Sequence, residues 1–111
     1  MTDKAELSIL LDYYGAFLTE RQYELSCMSA DEDMSLSEIA EQVGISRQAV
    51  RDSLSKASAQ LHEFEDRLHY AEHDRLLRGI AELLRKSLEL DENGLRNAAA
   101  EALEKINEVI K

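Results

Sequence analysis

The absence of proline is the feature that most constrains this sequence of 111 residues, which also contains only four glycines. Proline fixes φ and glycine supplies positive φ, so a chain poor in both has few points where a helix must stop or a tight turn forms easily. Aromatic residues make up 5% of the chain, so its apolar side chains are mainly aliphatic. We therefore expect an all-α protein, because β-rich folds depend on frequent tight turns.

Apolar residues recur at spacings of three and four along most of the chain, which is the periodicity of an amphipathic helix. Thr19 with Gln22 and Ser35 with Glu38 each match the capping box that begins a helix. Residues 90–94 are typical of a turn. The predicted helices cover residues 5–18, 20–28, 36–43, 47–88 and 95–110.

Residues 36–51 form the most specific pattern in the chain. Gly44 can adopt the left-handed conformation that ends one helix, and Ser46 can cap the next. Ala40 is small enough to let two helices cross closely. The pattern predicts a helix-turn-helix, with an ordinary helical hairpin as the alternative. The side chains expected to point inward are Ile39, Val43, Ile45, Ala49, Val50 and Leu54.

The outward face of the second helix carries the residue types that read DNA bases. Arginine pairs with guanine and glutamine with adenine in the major groove, and Arg47, Gln48 and Arg51 are placed to do so. Ser55 lies on the same face, and Lys56, Arg21 and the capped helix ends would contact phosphates. The predicted contacts with double-stranded DNA are Arg47, Gln48, Arg51, Ser55, Lys56 and Arg21.

The charge of the whole chain argues against strong non-specific DNA binding, because 13 basic residues face 23 acidic ones, for a net charge of −10. The helix from residue 46 to residue 56 is nevertheless locally basic, with Arg47, Arg51 and Lys56 against Asp52. DNA affinity would have to come from this local surface. The alternative is that the helix-turn-helix serves as a scaffold for protein contacts, which makes the protein an acidic adaptor.

The segment after the helix-turn-helix predicts a dimer. A continuous helix over residues 47–88 would reach about 60 Å, with a bend or break near residues 72–79, where the apolar phase slips next to Gly79. Its apolar stripe needs a partner, which is a second copy or, alternatively, the chain's own last helix. We divide the chain into a head (residues 1–59) and a dimerisation tail (residues 60–111). The predicted dimer contacts are Leu61, Phe64, Leu68, Leu77, Ile80 and Leu84.

The remaining reactive residues do not form a recognisable catalytic or metal-binding pattern. The single cysteine, Cys27, excludes an internal disulfide and is predicted to be a buried apolar residue. His62, His69 and His73 share a helix side but lack a completing ligand, so we expect surface histidines and no metal or cofactor. The sequence shows neither a secretion signal nor a membrane span. We expect a cytoplasmic protein that is not an enzyme.

Three segments resemble region 4 of bacterial sigma factors: residues 18–22, 36–40 and 46–50. With residues 11–14 and 68–72, the closer similarity is to the YlxM-like family of helix-turn-helix proteins. That resemblance implies a bacterial cytoplasmic protein encoded beside the GTPase of the signal recognition particle, with components of that particle as partners. It also implies base recognition by Arg47, Gln48 and Arg51, although an aromatic residue is common at position 51 in the family.

Overall fold

The computed structural model describes residues 3–110, and its elements over that range are α-helices and one short 3-10 helix, with no strand. The prediction of an all-α fold is confirmed. The elements are α1 (Lys4–Tyr14), a 3-10 helix (Gly15–Phe17), α2 (Glu20–Ala30), α3 (Leu36–Val43), α4 (Arg47–Leu68), α5 (Tyr70–Ser87) and α6 (Glu92–Ile110).

Both capping boxes form where the sequence predicts them. The Thr19 hydroxyl accepts from the Gln22 amide at 3.2 Å, and the Gln22 side chain accepts from the Thr19 amide at 3.1 Å. Ser35 and Glu38 make the same reciprocal pair, with both distances 3.1 Å. Each capping box gives hydrogen-bond partners to two backbone amides that would otherwise have none at the start of the helix. This explains why α2 and α3 begin where they do.

The chain divides into two compact units, called here the head (Met1–His69) and the tail (Tyr70–Lys111). This division lies further along the chain than the one placed after residue 59 from the sequence. The physical reason is that α4 continues past that point while its side chains pack on α1. The Tyr14 hydroxyl donates to Glu65 at 2.6 Å, and the rings of Tyr14 and Phe64 stack with centroids 5.9 Å apart.

The head has two apolar clusters, which share α2 and α4 between them. The first joins α1 to the middle of α4, and Leu61 and Ala57 are both 0% exposed in it. The second lies under the helix-turn-helix, where Ile39 of α3, Val50 of α4 and Leu25 of α2 are also 0% exposed. Helices α1, α2 and α3 therefore cover one side of α4 within the same chain.

The long helix is interrupted at His69, and the prediction of a break near residues 72–79 is wrong. His69 adopts a left-handed conformation with φ of 57°, and its amide donates to the Glu65 carbonyl at 2.8 Å, which closes α4. Histidine visits this region more readily than most non-glycine residues do. Gly79 lies inside α5, so the glycine alone does not stop the helix.

The tail is formed by α5 and α6, which pack against each other. Helix α6 begins at Glu92, earlier than the predicted residue 95, because the Asp91 carboxylate accepts from the Gly94 amide at 2.8 Å. Only small parts of the two helices are buried in their contact. The buried residues of the tail are Ile80, Ser87, Ala98 and Ala102.

Candidate nucleic-acid interface

The turn between α3 and α4 has the geometry that the sequence predicts. Gly44 has φ of 81° and ψ of 33°, a left-handed conformation that an L side chain adopts only at a cost. The Gly44 and Ile45 amides both donate to the Ala40 carbonyl, at 2.9 and 3.2 Å. Ser46 then caps α4 by accepting from the Ala49 amide at 3.0 Å. One glycine and one serine thus set the angle between the two helices.

The apolar side of this helix pair fixes how α4 is rotated. Val50 is fully buried against α2 and α3, and Leu54 is partly buried one turn later. Ala49, which we expected to point inward, is exposed instead, because its position lies away from the line that joins Val50 and Leu54. The opposite side of the first three turns of α4 faces solvent as a result.

Arg47, Gln48 and Arg51 are all exposed in the first two turns of α4, and Arg51 lies beside Leu54 at the boundary of the packed side. Neither arginine forms an ion pair with another residue within the described range 3–110. Both guanidinium groups therefore keep their donors available for a nucleic acid. They lie in the first turns of the second helix of a helix-turn-helix, which is the part that enters the major groove in proteins that bind DNA in this way.

Gln48 is held by an acidic neighbour on the same face. Its amide nitrogen donates to the Asp52 carboxylate at 2.9 Å, one helical turn away. The amide has a second N–H and an oxygen, so a bidentate contact with adenine remains chemically open to it. The Asp52 carboxylate orients this side chain but also places a negative charge where phosphates would approach.

The other predicted DNA contacts are exposed but more scattered. Ser55 lies one turn beyond Arg51 on α4, and Lys56 lies at the edge of that face, past Asp52. Arg21 is on a different element, in the first turn of α2, next to the capped N-terminus. The structure thus groups Arg47, Gln48, Arg51 and Ser55 on one helix face and leaves Lys56 and Arg21 outside it.

The residues predicted for the dimer interface fall into two groups. Leu61 is 0% exposed and Phe64 packs on the cluster between α1 and α4, so the head itself covers them, in contrast to the prediction. Ile80 is 5% exposed because it lies between α5 and α6. Leu68, Leu77 and Leu84 remain exposed at 38%, 51% and 44%.

The sequence reasoning missed part of the exposed apolar surface of the tail. Leu88 is 82% exposed at the end of α5, and α6 exposes Leu95, Leu103 and Ile110. At 100° per residue, Leu77 and Leu84 lie within about 20° of each other on α5, and Leu88 follows directly after the helix. We call these six leucine and isoleucine side chains the tail stripe: Leu77, Leu84, Leu88, Leu95, Leu103 and Ile110. Their helical periodicity was visible in the sequence, but which side of α5 contacts α6 was not.

Cys27 and His62 have local roles in the head. Cys27 is partly buried against the α1–α4 cluster and not fully buried as predicted, and this burial raises the pKa of its thiol, which disfavours the thiolate. The pKa of His62 is also raised, mainly by its hydrogen bond to the Ser58 carbonyl and further by Glu6, at 2.8 and 3.0 Å. His62 therefore joins α4 to α1.

No metal site or membrane span is evident in the part of the chain that the structure describes. Within residues 3–110, no three His, Cys, Asp or Glu side chains come together in a way that could hold an ion. Over the same residues, none of the helices combines the length and the apolar character needed to cross a bilayer.

A short helix and a longer, capped helix, joined by a turn with a left-handed glycine, define this chain as a helix-turn-helix protein. Residues 1–101 match the model of the family UPF0122, described as "Putative helix-turn-helix protein, YlxM / p13 like". The chain belongs to this family, as its resemblance to YlxM-like proteins implied.

Curated relatives of the chain come from several bacteria. A UPF0122 protein of Clostridium perfringens is 40% identical over 110 residues, which cover 96% of this chain and 97% of the relative. One from Symbiobacterium thermophilum is 44% identical over 101 residues, covering 90% and 94%. One from Bacillus mycoides is 33% identical over 105 residues, covering 91% and 94%.

Proposed function

We propose that this protein is a non-enzymatic regulator of the bacterial cytoplasm that binds double-stranded DNA through the first turns of α4. The observation that carries the proposal is that Arg47, Gln48 and Arg51 are all exposed in the first two turns of the second helix of the helix-turn-helix. Arg47 and Arg51 would contact guanine and Gln48 would contact adenine. Ser55, Lys56 and Arg21 would contact phosphates and set the register on the duplex.

The protein would act as a homodimer whose contact is the tail stripe. The stripe leaves large apolar side chains in water, and a two-helix unit is too small to bury them by itself. A second copy supplies the same stripe by symmetry and completes a four-helix arrangement. A symmetric dimer would recognise a two-fold symmetric DNA site.

The test is a binding screen against genomic fragments at physiological salt, followed by substitutions in α4. Arg47→Ala should weaken binding to the selected site by about 1–3 kcal/mol, or about 5- to 150-fold. Arg67→Ala is the matched control, because Arg67 is also exposed on α4 but lies at its far end, paired with Glu63 at 3.3 Å. Equal losses in the two variants would mean that only total charge matters, and the assigned face would be wrong.

A second candidate is an acidic adaptor of the secretion-targeting machinery, with components of the signal recognition particle as partners. The net charge of −10 favours it, as does Asp52 on the proposed recognition face. It predicts no retardation of any DNA fragment at moderate salt, together with co-purification of a basic protein or ribonucleoprotein. Specific DNA retention that depends on Arg47 would decide against it.

A further inference from the structure

A groove of about 580 Å³ opens in the head beside the proposed DNA-binding face. Leu7 of α1, Leu36 of α3 and Leu54 of α4 form its apolar wall. Its volume lies within the range of about 300–1,000 Å³ that is usual for small-molecule sites.

The ionisable side chains that line the groove are basic, although the protein as a whole is acidic. Lys4, Arg51 and His62 line it, and no Asp or Glu is among the described residues that do so, although the chain carries 23 acidic residues. Two of the three basic groups are already paired at the rim. Lys4 contacts Asp33 at 2.6 Å, and His62 contacts Glu6 at 3.0 Å.

Arg51 is the basic group of the groove that has no ion-pair partner within residues 3–110. Its guanidinium has five donors in a planar fork, which fits a carboxylate with two parallel hydrogen bonds. The Ser55 hydroxyl lies one turn further along the same helix and also lines the groove. An apolar wall with a single available guanidinium at its edge favours a ligand that has an apolar body and one anionic group.

We propose that this groove binds a small amphipathic carboxylate, with its apolar body against Leu36 and Leu54 and its carboxylate on Arg51. Arg51 is also a proposed DNA contact, so the bound carboxylate and DNA compete for it. That consequence rests on the proposed DNA-binding function, whereas binding in the groove does not. The ligand acts as an effector that releases the protein from DNA.

The experiment is a titration of the full-length, isotope-labelled protein with octanoate, followed by amide and methyl NMR shifts. Octanamide serves as the neutral ligand of the same size. Octanoate should shift the signals of Leu36, Leu54 and Ser55 and bind at least about 5-fold more tightly than octanamide. Arg51→Gln should remove that preference, while Arg67→Gln, also on α4 but outside the groove, should keep it.

Two results would overturn the binding proposal: equal affinity for octanoate and octanamide, or shifts spread over the surface without a cluster at the groove. The competition is tested separately, by adding octanoate to a complex with a selected DNA fragment. Release of DNA at octanoate concentrations that saturate the groove supports it, and simultaneous binding of both overturns it. If no DNA fragment binds at all, the proposed function fails, but the NMR titration still shows whether the groove binds a carboxylate.

Discussion

The head and the tail are both helical, but they differ in how completely they bury their apolar side chains. In the head, the apolar side of α4 is covered by α1, α2 and α3, and Leu61, Val50 and Ile39 are 0% exposed. In the tail, the residues that α5 and α6 bury are Ile80 and three small residues, and Leu84 remains 44% exposed. Similar apolar periodicities thus lead to a closed core in one unit and an open stripe in the other.

The difference shows that helical periodicity identifies an apolar face but not its partner. Three further helices are available to cover α4, so its stripe is satisfied inside one chain. Helix α5 packs with α6, and the two together leave the tail stripe exposed. The head therefore covers its own apolar residues, whereas the tail leaves apolar residues in water that the dimer proposed above would cover.

The largest expected effect comes from opening the closed core of the head. Leu61→Ala should lower the free energy of unfolding by about 2–5 kcal/mol, because it leaves a cavity between α1 and α4. Leu68→Ala is the control on the same helix, and we expect it to cost less than about 1 kcal/mol, since Leu68 is 38% exposed. Hydrogen exchange of the α1 and α4 amides measures both losses. Similar losses would show that Leu61 and Leu68 are equally buried.

The next effect concerns the open stripe of the tail. The double substitution Leu77→Gln with Leu84→Gln should weaken dimerisation at least about 100-fold, near 3 kcal/mol, because each leucine buried in a dimer contributes about 1.5–3 kcal/mol. Sedimentation velocity over a concentration series measures the change. The control is Arg75→Gln with Lys86→Gln, both exposed on the opposite side of α5. A wild-type chain that stays monomeric at high concentration would contradict the proposed role of the stripe.

Much of the head could be predicted because its signals are local. Capping boxes, Gly44 and Ser46 determine where helices begin and end through backbone groups only a few residues away. The assignment of Leu61 and Phe64 failed because heptad-like spacing does not show whether the partner is another copy or α1 of the same chain. The break at His69 carries no proline or glycine signal, and the groove at Arg51 needs four helices in place before it exists.

Glycine substitutions sharpen the comparison, since replacing glycine by alanine should lower the free energy of unfolding in the head and raise it in the tail. Gly44→Ala should cost about 1–2 kcal/mol, because φ is 81° there, although an added Cβ would meet no atom within 4 Å. Gly79→Ala in the tail should instead stabilise by about 0.5–1 kcal/mol, since Gly79 lies inside α5 with the same open space around it. Chemical denaturation of each variant measures the change in the free energy of unfolding. A loss at Gly79 would indicate that a partner approaches α5 closely at that position.

The smallest expected effect comes from two buried serines that differ in hydrogen bonding. Ser26 in the head is 0% exposed, and its hydroxyl has no hydrogen-bond partner among the described residues, whereas the Ser87 hydroxyl in the tail donates to the Leu84 carbonyl at 2.6 Å. Alanine favours a helix at both positions, so the difference between the two substitutions isolates the hydroxyl. We expect the free energy of unfolding of Ser26→Ala to be about 1 kcal/mol higher than that of Ser87→Ala, because only the Ser87 substitution removes a hydrogen bond. Thermal and chemical unfolding measure that difference, and equal effects would show that the Ser26 hydroxyl also has a partner in solution.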